Sequence, residues 1–283
     1  MNLTEEIKDN LKGRKRKLVI ISLGAGVQSS TMALKAACGE FPRPDCAIFA
    51  DTGYEPKSVY NYLDYLKDVL PFPVYVVDNG NIKQDLKSYI NHNQRMPTAP
   101  FFTKNADTGK KGMLRRQCTN DYKIVPIRKK IRELCGVGYK KHFPKDQYVE
   151  QWIGISTDEI MRMKPARDKY ILNRHPLIEA KLSRQDCINW LKEKKVLIPP
   201  KSACVFCPYH SDSFWINMKE KNPQEFNEAV EVDKFIRKGN DKLTDELYLH
   251  RSCVPLYQVE FNKKDKSKQI DMFNDECEGM CGV

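Results

Sequence analysis

No apolar run in these 283 residues approaches the roughly 20 needed to span a bilayer. The first ten residues, MNLTEEIKDN, are polar and acidic and lack the apolar core of a secretory signal. These two absences point to a cytoplasmic protein with no membrane partner. Acidic charge is also short, with 37 Asp and Glu against 48 Lys and Arg, a formal net charge of +11. That balance excludes an acidic solvating chain and favours polyanionic partners, nucleic acid and nucleotide phosphates first; a lysine-rich solvated surface is the plainer account. A reducing compartment also excludes a disulfide framework for the ten cysteines. The useful question is therefore which of them cluster.

What is present is an ordinary globular composition, 41% hydrophobic, in a chain long enough to bury a large core. KLVIISLG is a short, continuously apolar strand of the kind buried on both faces. SSTMALKAACG predicts a helix ending at Gly39, DCAIFADTG a second strand, and EPKSVYNYLDYLKDVL a helix with Val59, Tyr62, Leu63 and Leu66 at core spacing. PVYVVDNG is a third strand, followed by a helix from about Ile82. This β–α order implies an α/β fold, a parallel Rossmann-like sheet in three layers with right-handed crossovers. Residues 97–118 read as an irregular loop. NDYKIVPIRKKIREL resumes helical spacing with Pro126 near its start, and QYVEQWIGIS is a further strand. Ser183 and Asp186 form a capping pair, and Cys187, Trp190 and Leu191 share one core face. Asn222, Pro223 and Glu225 open another helix. Three regions follow: a basic arm over 1–17 carrying KGRKRK, an α/β domain over 18–200, and a Cys-rich, mainly helical region over 201–283. Cys38, Cys46 and Cys135 sit singly beside apolar residues and are read as small core groups.

The stretch VIISLGAGVQSSTMAL, Val19 to Leu34, carries the first chemistry. A strand that runs through glycines into a helix N-terminus makes an anion site, because backbone N–H groups and the helix dipole face the same point. Gly24 and Gly26 allow close backbone approach, and Ser29, Ser30 and Thr31 add hydroxyls. No Gly-Lys-Ser/Thr follows, so this is not a Walker A loop, and the third glycine of G-x-G-x-x-G is missing. The bland alternative is a tight turn with no ligand.

The loop resembles the PP-loop of ATP pyrophosphatases, Ser-Gly-Gly-x-Asp-Ser-Ser, at Gly26, Ser29 and Ser30, with Gly24 at the leading Ser and Gln28 at the Asp. Three further stretches resemble the phosphoadenylyl-sulfate (PAPS) reductases and their relatives, in the same order. FADTGYEPKSVYNYL is similar to their Asp-Thr-Gly segment, RRQCTNDYKIVPIRKKI to their Cys-Cys-x-x-Arg-Lys-x-x-Pro-Leu segment, and SACVFCPYH to their Cys-x-x-Cys. The resemblance covers roughly residues 18–210 and implies the adenine nucleotide alpha-hydrolase-like form of the three-layer fold. It departs at WIGISTDEIMR, where Ser156 stands in place of the arginine that holds the nucleotide-sulfate, although Glu159 is kept. Arg162 and Arg167 are the nearby substitutes.

The resemblance implies ATP with Mg²⁺, its adenosine near Asp51 and Thr52 and its phosphates on Gly24, Gly26, Gln28, Ser29 and Ser30. Ser29, Lys123, Glu159 and Cys281 are the candidate catalytic residues. Cys277 follows two carboxylates, which weaken a thiolate, so Cys281 is the freer thiol of the tail NDECEGMCGV. The family's [4Fe–4S] cluster would use Cys118, Cys204 and Cys207, with Cys253 as fourth ligand or one iron left open to sulfide. A structural zinc on Cys204, Cys207, His210 and another cysteine is the alternative, and no metal the third. The leading expectation is an enzyme that adenylates an acceptor, releases pyrophosphate and serves sulfur transfer, with a nucleic-acid acceptor and a sulfur-donor protein as partners. A sulfonucleotide reductase and a non-catalytic nucleotide- or nucleic-acid-binding module are the other two readings.

Overall fold

In strand β1 (Lys15–Leu23), Val19, Ile21 and Leu23 enter one core while Ile20 enters another on the opposite face. A strand buried on both sides must lie inside a sheet covered by helices above and below. The computed structural model describes residues 13–92, 99–138, 141–239 and 245–262. After β1 come α1 (Val27–Ala37), β2 (Cys46–Asp51), α2 (Lys57–Val69), β3 (Val74–Asp78) and α3 (Ile82–His92). A short antiparallel pair, β4 (Phe102–Asn105) and β5 (Lys111–Met113), and helix α4 (Val125–Leu134) precede β6 (Gln147–Ile153) and β7 (Ile171–Arg174). The main sheet has five parallel strands in the order β3-β2-β1-β6-β7. The chain therefore winds outward from β1 to β3, then returns to the other side of β1 as β6. Ligands of such sheets bind at that reversal, outside the carboxyl ends of the two strands.

Beyond β7 lie α5 (Pro176–Glu179), α6 (Arg184–Glu193), α7 (Asp212–Lys221), α8 (Pro223–Ile236) and β8 (Asp245–Tyr248). Helices α1, α2 and α6 cover one face of the main sheet through Met32, Leu63, Leu66, Cys187 and Leu191. Helix α4 covers the other through Ile127 and Ile131. The three-layer α/β expectation holds. Ser183 and Asp186 cap α6 reciprocally, as the sequence predicts. Helix α1 ends in a Schellman turn: Gly39 adopts φ +78, its N–H donates to the Ala36 carbonyl, and the Glu40 N–H donates to that of Lys35. The turn leaves Cys38 exposed, so it is not a core group, and Cys135 at the end of α4 is only half-buried.

Residues 102–113 are a hairpin rather than irregular loop, and β4 also pairs with β8. Helix α4 is preceded by a π-helical turn over Asn120–Ile124. Pro126 lacks an N–H and crowds the carbonyl four residues back, and the wider turn relieves both problems. Asn222 makes no side-chain cap to α8, because it also terminates α7 and takes φ −133, ψ 62. Glu225 instead accepts the Lys57 N–H at 2.9 Å. Two cations of the basic arm are spent locally: Arg14 donates to the Gln147 carbonyl at 2.7 Å, and Arg16 pairs with Glu150 at 3.2 Å.

A second core joins the two parts of the chain. Ile82, Leu86, Phe101 and Tyr122 pack with Phe206, Trp215, Phe226, Ile236 and Leu247. Asp233 pins it from within, accepting the Leu249 and Leu256 N–H groups at 2.9 and 3.0 Å. Among the described residues, no helix is long and apolar enough to cross a membrane.

Candidate functional site

Residues 24–26 turn the end of β1 into α1. Ala25 takes φ +56 while fully buried, a left-handed conformation that costs a non-glycine residue about 1 kcal/mol. The Gly24 N–H donates to Ser29 Oγ at 3.1 Å, and Ser29 Oγ donates to the Gly26 carbonyl at 3.4 Å. Ser29 thus fastens the turn it belongs to. Helix α1 has Gly26 at its N-cap, no side-chain cap and no acid in its first turn, so the positive end of its dipole is uncompensated by side chains.

The second loop of the site follows β6. A Cβ placed on Gly154 would lie 2.7 Å from the backbone nitrogen of Ser29 and 2.8 Å from its Cα. Only glycine lets the β6 loop approach the start of α1 so closely. Beside it, Ser156 is fully buried, and Gln28 Nε2 lies 3.5 Å from Ser156 Oγ. Gln28 Oε1 is buried and has no hydrogen-bond partner among the described residues. Ser30 and Thr31 are buried in the same turn of α1.

At the end of β2, Asp51 Oδ1 accepts from the Gly53 N–H at 2.7 Å and the Tyr60 hydroxyl at 2.8 Å. Burial and the neighbouring Asp51 both push the Tyr60 phenol up, so it stays protonated and donates. Gly53 takes φ +73 with the Asn81 side chain packed where a Cβ would stand. Asn81 Nδ2 donates to the Gly53 carbonyl, and Asn81 Oδ1 accepts the Lys83 and Gln84 N–H groups at the start of α3. Thr52 is buried; its hydroxyl donates to Glu55 Oε1 at 3.4 Å and lies 3.2 Å from Cys204 Sγ. Lys123 Nζ pairs with the same Glu55 oxygen at 3.4 Å, and both side chains are almost wholly buried. The structure thus brings Thr52, Lys123 and Cys204 together around Glu55.

Sequence reasoning selects the three residues around Glu55 and misses Glu55 itself. Glu55 stands at the first position of the expected helix, outside its core-spaced face, and no local periodicity reveals its burial. It also misses Tyr54, whose hydroxyl bonds Glu228 and receives Lys83 Nζ at 2.6 Å while its ring lies 5.3 Å from that of Phe206. Those contacts tie the end of β2 to α8.

Glu159 sits in a 3-10 turn, Thr157–Arg162, and is itself kinked out of helical geometry. Its Oε1 holds Arg162 Nη1 at 2.6 Å. Arg162 is therefore committed to Glu159, while Arg167 is exposed on a shallow crevice beside Arg128 and Gln151.

Cys204 and Cys207 close one tight turn, with the Cys207 N–H on the Cys204 carbonyl at 2.9 Å. His210 Nε2 donates to that carbonyl at 2.9 Å, and its ring stacks on Phe214 at 3.9 Å. Burial pulls His210 down to about 3, so the imidazole is neutral. Cys118 packs at the edge of the second core. The Cys253 thiol points to the Thr103 carbonyl at 3.6 Å, and burial pushes its pKa up. Among the described residues, no three or more His, Cys, Asp or Glu side chains are placed to hold a metal ion. Cys118, Cys204, Cys207 and Cys253 do not assemble as iron–sulfur ligands there, and a zinc set with His210 does not form. Cys277 and Cys281 lie outside the described residues.

No protein-family model matches the chain, and no curated protein matches it. Among solved structures, the crystal structure of phosphoadenylyl-sulfate (PAPS) reductase from Candida auris, a phosphate complex, is similar. The likeness has a TM-score of 0.42 and 11% identity, over 70% of this chain and 82% of that one.

Proposed function

We propose that the chain is a PP-loop-type enzyme that binds ATP at the carboxyl ends of β1, β2 and β6 and adenylates an acceptor. The observation that carries this reading is the close seating of two loops, Gly24–Ser29 and the one at Gly154 that only glycine permits, at the sheet's reversal. A left-handed Ala25 and a helix N-terminus without a side-chain cap suit a turn that offers backbone N–H groups to an anion. Phosphates would lie there, with the adenosine toward Asp51 and Thr52. An acceptor oxygen attacks the α-phosphorus, the bond to the bridging oxygen of the β-phosphate breaks, and pyrophosphate leaves. A sulfur nucleophile from a donor protein then displaces AMP. The chain supplies positioning and backbone donors, with Lys123 held beside the site by Glu55. Magnesium enters as the nucleotide complex. No step is routed through a cluster or zinc, because the described cysteines do not fit one.

The test is release of pyrophosphate and AMP from α-labelled ATP with Mg²⁺, with oligonucleotides and modified nucleosides as acceptors. Ser29→Ala unfastens Gly24 and is expected to lower the rate at least tenfold, about 1.4 kcal/mol of transition-state stabilisation. Absence of turnover and of ATP binding in the unmutated chain would overturn the reading. A second reading, reduction of a nucleotide-sulfate, is favoured by the 3.2 Å approach of Cys204 Sγ to Thr52. Sulfite formed from PAPS with a thiol donor, without ATP hydrolysis, would establish it instead.

A further inference from the structure

The antiparallel sheet β5-β4-β8 has one face in the second core and one outside it. Thr103 pairs with Gly112 and Leu247, and Leu247 is fully buried, so that row points inward. Side chains alternate along a strand, which turns the neighbouring rows outward. These rows are Met113–Phe102–Tyr248 and Lys111–Lys104–Glu246. Met113 is 42% exposed and Phe102 half-buried, while Tyr248 is buried under the Arg237 guanidinium at 3.6 Å, and Lys111 Nζ donates to the Ser252 carbonyl at 2.8 Å. Glu246 is engaged by the Tyr248 hydroxyl at 2.6 Å. Residues 102–116 carry Lys104, Lys110, Lys111, Arg115 and Arg116 against one carboxylate, Asp107.

We propose that this outer face binds single-stranded nucleic acid, presenting cations to phosphates and the Met113 and Phe102 side chains to unpaired bases. The binding stands on its own; the role of that strand as acceptor rests on the nucleotide-site reading above. Continuity with the nucleotide end supports the role. The Tyr209 hydroxyl donates to Met113 Sδ at 3.7 Å, and the Arg116 guanidinium lies 5.5 Å from the Tyr209 ring centre. Tyr209 follows the Cys204–Cys207 turn, and Cys204 touches Thr52. A strand lying across the hairpin is thereby led toward the carboxyl end of β2. An acidic polypeptide would use the cations but not the apolar row, and a duplex would hide its base faces from it.

The experiment is fluorescence anisotropy of the full chain with labelled single-stranded DNA and RNA of 16 nucleotides, without ATP. The unmutated chain is expected to bind with an affinity that falls steeply with salt. Lys104→Glu combined with Lys111→Glu is expected to weaken binding at least tenfold. The double variant should also flatten the log–log salt dependence by about 1.4, two phosphate contacts at roughly 0.7 each. Arg115→Glu, on the exposed end of the hairpin, should weaken binding on its own with unchanged thermal stability. No binding by the unmutated chain, equal binding by both charge-reversed variants, equal or tighter binding of duplex, or equal competition by polyglutamate would each overturn the proposal. Oligonucleotide binding here, by a chain that neither binds nor turns over ATP in the labelled-ATP assay, would overturn the adenylation reading and leave this one standing.

Discussion

Gly154→Ala tests the candidate site most directly. The new Cβ would stand 2.7 Å from the Ser29 nitrogen, 2.8 Å from its Cα and 3.1 Å from its Cβ. Ordinary contact begins near 3.4 Å, so the loops must part by about 0.7 Å. The obstructing atoms are mainly backbone at the start of α1, which cannot swing aside as a side-chain tip can. Overpacking of this kind costs about 1–3 kcal/mol. Whatever part of the displacement the start of α1 takes up strains the 3.1 Å bond from the Gly24 N–H to Ser29 Oγ and loosens the turn. Misplacement approaching 1 Å at a catalytic constellation costs on the order of 100-fold, so nucleotide affinity should fall at least tenfold. Urea unfolding reads the first effect, and calorimetric titration with a non-hydrolysable ATP analogue reads the second. Gly138→Ala is the control, because its Cβ would meet only the Lys141 side chain at 3.7 Å. If Gly154→Ala matched the control in both measurements, the close seating of the two loops would have no bearing on stability or binding.

Two further outcomes follow from buried charge. Lys123→Met removes the cation beside the wholly buried Glu55 carboxylate and should destabilise by about 3–5 kcal/mol; adding Glu55→Gln should recover part of that loss, and simple additivity in denaturant unfolding would refute the pairing. Burial holds both His175 and His250 below the ordinary histidine value, His250 despite its bond to Asp212. The unfolded chain therefore binds more protons than the folded one below about pH 6.5, and stability should decline as pH falls through that value and onward. His175→Gln should flatten the decline in urea midpoints measured from pH 7.5 to 5.5; an unchanged slope would refute the assignment for that residue.

What was legible in the sequence was set locally. Runs such as Leu18–Ile21 and Cys46–Ala50 are apolar without interruption, and a chain can bury both faces of such a run only inside a covered parallel sheet. The Ser183–Asp186 cap was legible because its two partners are three residues apart. The hairpin over 102–113 was not. Its β4 residues alternate weakly, and the strand that completes the sheet, β8, comes 140 residues later in the pairing of Asn105 with Asp245. Glu55 was hidden for the same reason, since its burial depends on Lys123 and on the Cys204 turn packing over it. Cysteine order along the chain conveyed which residues resemble ligands but nothing about their separations. Four residues in family order therefore do not amount to a metal site among the described side chains.

Gln28 shows the two kinds of information meeting. In sequence it is a departure from the Asp of the PP-loop pattern, which argues for altered chemistry. In the fold it is 1% exposed, its amide facing Ser156 Oγ and its carbonyl oxygen unpartnered. A carboxylate there would be a buried charge, costly in itself, and no described side chain makes an ion pair with this position. Ser156, in turn, stands where the reductase resemblance expects an arginine. Both positions are neutral here, so neither leaves the other beside an unpaired buried charge. A neutral pair leaves the helix dipole and backbone N–H groups as the local field at the reversal of the sheet, and that field favours an anion.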